Sequence, residues 1–274
     1  YQVARFFLNG RFNAEAISPA SRRPVEVTFV NGFSKQNSLL KTILPVAASE
    51  RREGGLKIDG LLGDWDPADN IQDGPLVKML DRPTLQQQGI SYASTPSQIF
   101  SGWADDTFYT AFKVSGMSPS EGRNARNFAQ YESRRAWAED LTEILIQPVF
   151  HDNSLGPIMH LVCKPNGSIW VERKLDPKMH ADPWQPFEGA AIRYAADVNG
   201  SDWRGEVAIP WKAITDDPRK RPVLLRFNFT QNKMQTGESA TWAGPVDFGR
   251  DDALTGALFI REQDNPGMGG TGGR

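Results

Sequence analysis

The feature that most restricts the fold of this chain is a succession of short strand-like segments with no long amphipathic helix between them. Each segment is rich in apolar and β-branched residues and ends near residues that favour turns. Strands that follow one another at short spacing, without crossover helices, favour an antiparallel all-β sandwich. The main predicted strands cover 108–114, 141–148, 158–163, 168–173, 190–195, 203–210, 223–230 and 257–261.

One turn in this series predicts a hairpin directly. The stretch 164–167 contains Asn166-Gly167, and such a pair supplies the positive φ values that tight hairpin turns require. Two longer segments, 66–96 and 115–135, show no strand pattern and are predicted to be irregular loops. Loops of that length in a compact domain are often functional, so both are expected to face a ligand or partner.

Changes of composition divide the chain into three predicted parts. Residues 25–30 and 39–46 are strand-like and predict a hairpin or the end of a preceding domain, whereas the polar stretch 48–55 predicts a linker. The parts are an N-terminal segment over 1–53, a β-sandwich domain over 54–262 and a flexible glycine-rich tail over 263–274. Because the chain starts at Tyr1 without a signal-peptide pattern, we expect a processed product or part of a longer protein.

Charge and hydropathy exclude two classes of partner. The chain has 31 Lys and Arg against 33 Asp and Glu, a net charge of −2, and no long run of one sign. It therefore lacks the positive surface that nucleic acid or an anionic membrane requires. No apolar stretch approaches the roughly 18 residues of a membrane span. Cys163 is the single cysteine, which excludes an internal disulfide but leaves the redox compartment open.

Several short motifs follow one another in a fixed order after residue 56. In chain order they are LKIDG (56–60) with Asp64-Trp65, WADDTFY (103–109), WAEDLTEI (137–144), GEVAIPW (205–211), RFNF (226–229), SATW (239–242) and GAL (256–258). Each motif is weak alone, but the series resembles family 9 carbohydrate-binding modules, which are related to DOMON-like sandwich domains. The resemblance covers about 56–261 and does not extend to the first 50 residues.

This resemblance implies a jelly-roll-like β-sandwich that binds carbohydrate and catalyses no reaction. In the family a terminal sugar is held between two aromatic rings while polar side chains bind its hydroxyl groups. Such modules accompany a catalytic or surface-anchored domain of a larger, often bacterial, protein. The resemblance therefore implies an oligo- or polysaccharide ligand and an extracellular or periplasmic location.

Two aromatic residues correspond to the rings that hold the sugar. The resemblance places Trp137 at the first position by its spacing to Asp140 and Glu143. The second ring falls after Trp242, where Phe248 is the nearest aromatic and would replace a family tryptophan. An aromatic face suits the apolar C–H surface of a pyranose ring. For both residues, packing in the core is the alternative.

Polar candidates lie on the two strands that follow Trp137. The resemblance places Glu143 among the acceptors for sugar hydroxyls, and a solvent-facing charge or an ion pair with Arg226 is the alternative. The two-residue period of a strand puts Asp140 on the opposite face from Glu143. His160 and Lys164 share a predicted face where the family offers a basic donor, although a one-residue shift would reverse that face.

Asn228, Gln231 and Trp242 complete the predicted binding set. The two amides can match adjacent hydroxyl groups because each offers both donors and an acceptor. A buried Asn228 that only fixes a strand edge is an equal alternative.

An acidic loop near the start of the predicted domain suggests a metal. Asp59, Asp64 and Asp66 offer the hard oxygen ligands that Ca²⁺ prefers, with Asp69 close by. No twelve-residue calcium loop is present. The three histidines lack zinc-site spacing.

The motifs of common hydrolases and phosphate-binding enzymes are missing, so the chain is not expected to be an enzyme. The first alternative to sugar binding is a redox subunit that binds haem b, because the sandwich family includes haem-binding relatives. Its candidate axial ligands are Met117, Met159, Met179 and Met234. The second alternative is a purely structural module of a multi-domain surface protein.

Overall fold

The computed structural model describes residues 24–30, 37–79, 90–117, 139–174, 184–187, 191–217, 220–244 and 256–261. Most of these residues are in strands. The elements are β1 (Pro24–Val30), β2 (Asn37–Ile43), β3 (Val46–Arg51), a 3-10 helix (Pro67–Asp69), β4 (Asn70–Lys78), β5 (Tyr92–Ala104), β6 (Thr107–Val114), β7 (Leu141–Val149), β8 (Ile158–Cys163), β9 (Ile169–Lys174), β10 (Gln185–Pro186), β11 (Arg193–Asn199), β12 (Asp202–Pro210), α1 (Trp211–Thr215), β13 (Leu224–Lys233), β14 (Glu238–Thr241) and β15 (Gly256–Arg261).

Two layers of antiparallel strands face each other. The first layer has the order β10-β9-β8-β7-β13, and the second has the order β4-β5-β6-β12-β11. The layers join along one side, where β14 connects β13 to β4 while β15 and β3 connect β13 to β5. The predicted antiparallel β-sandwich is therefore confirmed. The predicted N-terminal hairpin is confirmed as well, because β1 and β2 pair antiparallel in a two-stranded sheet of their own.

The space between the layers holds the main apolar core. Ile144, Met159 and Phe227 of the first layer belong to the same buried cluster as Phe112 and Val207 of the second. Because these side chains alternate along each strand, the residues between them point to the outer faces of the layers. The outer face of the first layer carries the candidate site.

Several predicted strands match the structure closely because clear turn residues bound them. β8 has the predicted limits, and β9 follows it through the predicted hairpin. In the connecting turn the Gly167 N–H donates to the Lys164 carbonyl at 3.1 Å, and Gly167 has φ of +81°. A side chain at that φ would be strained, so glycine fits this position.

The predicted irregular loop over 66–96 is wrong. It contains β4 and the start of β5, which pair antiparallel. Gly74, Pro75 and Pro96 interrupt the strand pattern in the sequence, but the structure accommodates them with a register shift between Pro75 and Val77. Most of the second predicted loop, 115–135, lies outside the described residues.

The predicted linker over 48–55 is also wrong in its first half. β3 runs from Val46 to Arg51 and pairs in parallel with β15 and β5, so the sheet begins before the predicted boundary at residue 54. The charged residues Glu50, which is half-buried, and Arg51, which is exposed, hid the alternation with buried Ala47 and Ser49. The glycine-rich tail lies outside the described residues.

Among the described residues, no helix has the length and apolar character needed to cross a membrane.

Candidate functional site

Polar and aromatic residues share the outer face of the first layer. Strand pairing sets Trp170 beside Val162, Val162 beside Glu143, and Glu143 beside Thr230 in one row across four strands. The next row contains Glu172, His160, Leu145 and Asn228. Directly paired residues project from the same face of a sheet. We call this surface the polar face, defined by Glu143, His160, Trp170, Glu172, Asn228 and Thr230.

His160 lies at the centre of the polar face, between two carboxylates. Its Nε2 is 2.8 Å from Glu143 Oε2, and its Nδ1 is 2.8 Å from Glu172 Oε1. His160 is buried, with 3% of its surface exposed, and Glu143 is 8% exposed. The sequence left Glu143 either facing solvent or paired with Arg226 as the alternatives to sugar binding, and the structure pairs it with His160. Arg226 instead donates to Gln147 Oε1 at 2.6 Å.

The two carboxylates keep the His160 ring protonated. Burial alone would lower the pKa of His160, but the hydrogen bonds to Glu143 and Glu172 raise it to about 9. Burial raises the pKa of Glu143 against the opposing effect of His160. Burial would also raise the pKa of Glu172, but its hydrogen bond with His160 makes the net direction downward. At neutral pH both ring nitrogens therefore donate, and both carboxylates are held in fixed orientations.

Two further charged groups lie near the ends of β7 and β8. Lys164 is fully buried, and its Nζ donates to Glu139 Oε2 at 2.9 Å. Asp140 Oδ1 accepts the backbone N–H of Met234 at 2.7 Å. Asp140 therefore fixes the turn after β13, and Lys164 forms a buried ion pair rather than a solvated charge.

Two tryptophans not predicted from the sequence belong to this region. Trp170 is 39% exposed, and its indole Nε1 donates to Glu172 Oε2 at 3.3 Å. The ring of Trp184, half-buried, lies 5.6 Å from the ring of His160. Alternation along the predicted strand 168–173 would have placed Trp170 on one face with Glu172. No comparable pattern pointed to Trp184.

Asn228 lies on the polar face, and its side-chain oxygen accepts three hydrogen bonds from the protein itself. Its Oδ1 accepts the N–H of Ala243 at 3.0 Å and the hydroxyl of Thr241 at 3.0 Å. Oδ1 also accepts the N–H of Phe229 at 2.9 Å. These contacts fix the end of β14 against β13. A role for Asn228 in binding sugar stays a prediction.

Gln231 and Trp242 are not brought to the polar face. Gln231 projects between the layers, where its Oε1 accepts the hydroxyl of Ser97 at 2.7 Å. Trp242 is fully buried in the main core, 5.4 Å from the ring of Phe227. Their positions follow from strand parity, because both lie on the side of their strands that faces the second layer. Trp137 and Phe248, predicted to hold the sugar, lie outside the described residues.

The acidic loop uses its carboxylates to fix local backbone. Asp59 Oδ1 accepts the N–H of Leu61 at 3.0 Å, and Asp64 Oδ2 accepts the N–H of Lys57 at 3.1 Å. Asp66 caps the 3-10 helix through the N–H of Ala68 at 2.8 Å. Within the described ranges, no three His, Cys, Asp or Glu residues are grouped in a way that could hold a metal. Calcium binding at Asp59, Asp64 and Asp66 stays a prediction.

Two of the recognised motifs meet at one buried carboxylate on the second layer. Glu206 of β12 accepts the N–H of Asp59 at 2.8 Å and of Gly60 at 2.6 Å, both at Oε2. Its Oε1 accepts the indole N–H of Trp65 at 3.0 Å. Gly60 has φ of +82°, and a side chain there would collide with the backbone of Ala196. The motifs at 56–65 and 205–211 are therefore held together by the hydrogen bonds of Glu206. We call this set of hydrogen bonds the Glu206 lock.

The methionines of the haem alternative are dispersed. Met117 and Met159 are buried in the main core, and Met234 is 41% exposed after β13. Met179 lies outside the described residues. Haem binding stays a prediction, with no described methionine on the polar face.

Comparison with known proteins supports the fold. No protein-family model matches the sequence, and no curated protein matches it. Among solved structures, the chain is similar to a candidate carbohydrate-binding protein from Bacteroides uniformis ATCC 8492. The TM-score is 0.53 and the identity 12%, over 79% of this chain and 99% of the other. At that identity the match shows a common β-sandwich fold.

The chain is also similar to a family 9 carbohydrate-binding module from Caldicellulosiruptor kristjanssonii in two complexes. With cellotriose, the TM-score is 0.46 and the identity 11%, over 80% of this chain and 95% of the other. With glucose, the TM-score is 0.44 and the identity 13%, over 80% and 96%.

Proposed function

We propose that this protein binds carbohydrate at the polar face and catalyses no reaction there. The observation that carries the proposal is the cluster of Glu143, His160 and Glu172, with Trp170 beside it. Burying charged groups on the outer face of a sheet is costly unless they are paired. A paired cluster next to an aromatic ring offers fixed hydrogen-bonding groups and an apolar surface, the two requirements for binding a sugar.

The terminal sugar is proposed to lie between Trp137 and Phe248, with Glu143 as a hydroxyl acceptor. Trp137 precedes Glu143 by six residues in the same motif, and the family resemblance assigns both to the terminal sugar. Its Oε2 is held by His160, so the carboxylate is oriented before a ligand arrives. A group that is already oriented loses less entropy on binding.

The fold match supports the proposal of a binding module. The Bacteroides protein with the same fold is itself a candidate carbohydrate-binding protein. By this analogy the chain is proposed to act as a module of a larger secreted or surface protein whose other domain supplies any catalysis. Glycoside hydrolysis needs two carboxyl groups that can act separately as acid and base or nucleophile. Glu143 and Glu172 instead bind the two nitrogens of one imidazole.

Calorimetric titration with soluble mono- and oligosaccharides tests this proposal. We expect the wild-type chain to bind at least one sugar with a dissociation constant on the order of micromolar to millimolar. Trp137→Ala should abolish binding while leaving the fold intact. Tyr92→Ala is the matched control, because Tyr92 is an exposed aromatic, 46% accessible, on the second layer. A folded wild type that binds no sugar would overturn the proposal.

A further inference from the structure

Two hairpin turns of this protein contain the same three residues, Asn-Gly-Ser. Residues 166–168 lie in the turn between β8 and β9, and residues 199–201 lie in the turn between β11 and β12. The asparagine of each turn is exposed, and the glycine after it has a positive φ, +81° at Gly167 and +62° at Gly200. Because the three residues are the same, a difference in their chemistry must come from the structure around them.

An asparagine followed by a glycine is chemically labile in water without any enzyme. The backbone nitrogen of the glycine attacks the side-chain carbonyl carbon of the asparagine, a carbon–nitrogen bond forms, and ammonia leaves. Water then opens the cyclic imide at either carbonyl carbon and gives aspartate or isoaspartate, and the ammonia takes up the carboxyl proton. No oxidant or reductant is needed. Glycine favours the reaction because it has no side chain to hinder the attack.

Hydrogen bonds restrain both reacting groups in the β8–β9 turn. The Gly167 N–H donates to the Lys164 carbonyl at 3.1 Å, so the attacking nitrogen is already engaged. Asn166 Oδ1 accepts the Ser168 N–H at 3.0 Å and the Ser168 hydroxyl at 2.7 Å, so the side-chain amide is held in one orientation. The attack on Asn166 therefore requires these bonds to break first.

The corresponding groups of the β11–β12 turn lack such restraints. Among the residues that the structure describes, none forms a hydrogen bond with the Asn199 side chain or the Gly200 N–H. The Ser201 carbonyl accepts the Met117 N–H at 2.9 Å, which holds the turn after the reacting pair and leaves the pair itself untouched. β11 is also the last strand in the order of the second layer, so Asn199 lies at the end of an edge strand. Strand ends of this kind open most easily.

We propose that Asn199 is a site of spontaneous deamidation, at which the Gly200 nitrogen and water convert the side-chain amide into aspartate or isoaspartate. Isoaspartate adds a methylene group to the backbone where residue 199 pairs with Asp202, and both products add a negative charge beside the Lys113–Asp202 ion pair. The end of this hairpin is therefore expected to loosen. Because the site lies on the second layer, the inference is independent of sugar binding on the polar face.

Peptide mapping by mass spectrometry, after incubation of the full chain in mildly alkaline buffer, tests this inference. In the folded protein we expect Asn199 to deamidate about 5- to 30-fold faster than Asn166, the factor that one or two hydrogen bonds supply. In urea the two asparagines should react at similar rates, because the reacting residues are the same. In water enriched in heavy oxygen, the new carboxyl group should carry the label. The Asn-Gly pairs at 9–10 and 31–32 lie outside the described residues and fall on separate tryptic peptides.

Two variants test the cause of the difference. Ser168→Ala removes one hydrogen bond to Asn166 and should accelerate deamidation there about 5-fold, with the rate at Asn199 unchanged. Asn199→Gln keeps an amide on a longer side chain, which closes a larger and less favourable ring, so the peptide that contains residue 199 should keep its mass. Thermal unfolding of each variant checks that the sandwich remains intact.

The rates in the folded protein decide the outcome. Equal rates at Asn166 and Asn199, or a faster rate at Asn166, would overturn the inference. So would an Asn199 that deamidates in urea but stays unmodified in the folded protein. An unchanged rate at Asn166 in Ser168→Ala would overturn the role given to the hydrogen bonds of the β8–β9 turn.

Discussion

Two buried carboxylates, one on the outer face of each layer, are held in different ways. Glu206 on the second layer is 1% exposed and accepts hydrogen bonds from two backbone N–H groups and the Trp65 indole. Glu143 on the first layer is 8% exposed and binds His160, which it shares with Glu172. The N–H groups that bind Glu206 do not titrate, whereas His160 loses its proton as the pH rises through its raised pKa of about 9. Glu206 fixes the loop that contains Asp59 and Trp65, whereas Glu143 belongs to a cluster whose charge depends on pH.

The largest expected effect is the loss of the lock at Glu206. Glu206→Ala leaves a buried indole N–H and two backbone N–H groups without their acceptor, so we expect a loss of about 3–5 kcal/mol in the free energy of unfolding. Glu143→Ala should cost less, about 1–3 kcal/mol, because His160 keeps Glu172 as a partner. Urea denaturation of both variants measures the difference. Equal losses, or the reverse order, would break the comparison between the two carboxylates.

The second effect is a pH dependence that belongs to the first layer. The pKa of His160 is raised from 6.5 to about 9, so the folded state favours the protonated ring. That stabilisation is complete below about pH 6.5 and is lost as the pH rises through about 9, a change of about 3 kcal/mol. Denaturation of the wild type and His160→Gln from pH 6 to pH 10 measures the contribution of His160 together with that of its two bound carboxylates, Glu143 and Glu172. Parallel stability curves would show that folding does not raise the pKa of His160.

A third effect separates structure from binding within the polar face. Asn228→Ala removes the acceptor of the Ala243 N–H and the Thr241 hydroxyl, so we expect a loss of about 2 kcal/mol in unfolding free energy. Thr241→Val removes only one of these contacts and should cost about half as much. Thermal or urea unfolding measures both. If Asn228→Ala unfolds like the wild type but binds sugar less tightly, Asn228 is a ligand contact rather than a support for β14.

The smallest effect concerns the acidic loop beside the lock. Lys57 pairs with Asp59 at 2.8 Å, and its side chain is 76% exposed, so Lys57→Ala should leave the midpoint of thermal unfolding unchanged within error.

Thermal unfolding also tests the predicted calcium site. If Asp59, Asp64 and Asp66 hold Ca²⁺, millimolar CaCl₂ raises the melting temperature and a chelator reverses the rise. An unchanged melting temperature would remove the calcium prediction and leave these carboxylates as loop caps.

The sequence was sufficient to predict the β-sandwich because unambiguous turn residues mark the ends of many of its strands. β8, for example, is apolar except for His160, and the turn residues Pro165-Asn166-Gly167 follow it closely. β4 and β5 escaped prediction because Gly74, Pro75 and Pro96 interrupt their pattern, and only the partner strand shows that a shift in register absorbs them. Local pattern alone does not reveal that kind of compensation.

The contacts between the site residues could not be predicted, because they depend on the register between neighbouring strands and short sequence patterns do not determine it. Glu143 and His160 were both recognised as candidates, but their hydrogen bond requires His160 to pair with Leu145, diagonal to Glu143. The sequence left the register of this strand uncertain by one residue, so it did not decide on which face of the sheet His160 lies. Gln231 and Trp242 illustrate the same difficulty, since one strand position separates the polar face from the core. Trp184 contacts His160 from a segment without a recognisable pattern.

The parallel pairing of β3 with β15 has a mechanical consequence. Val46 lies beside Ala257 and Glu50 beside Arg261, so the two strands run in the same direction along the seam between the layers. Tension applied through the chain before Val46 and the chain after Arg261 would pull these strands past each other lengthwise. The hydrogen bonds of the pair would then bear the load together rather than opening one after another. Under tension between those two points, the β3–β15 pair would therefore separate only at high force.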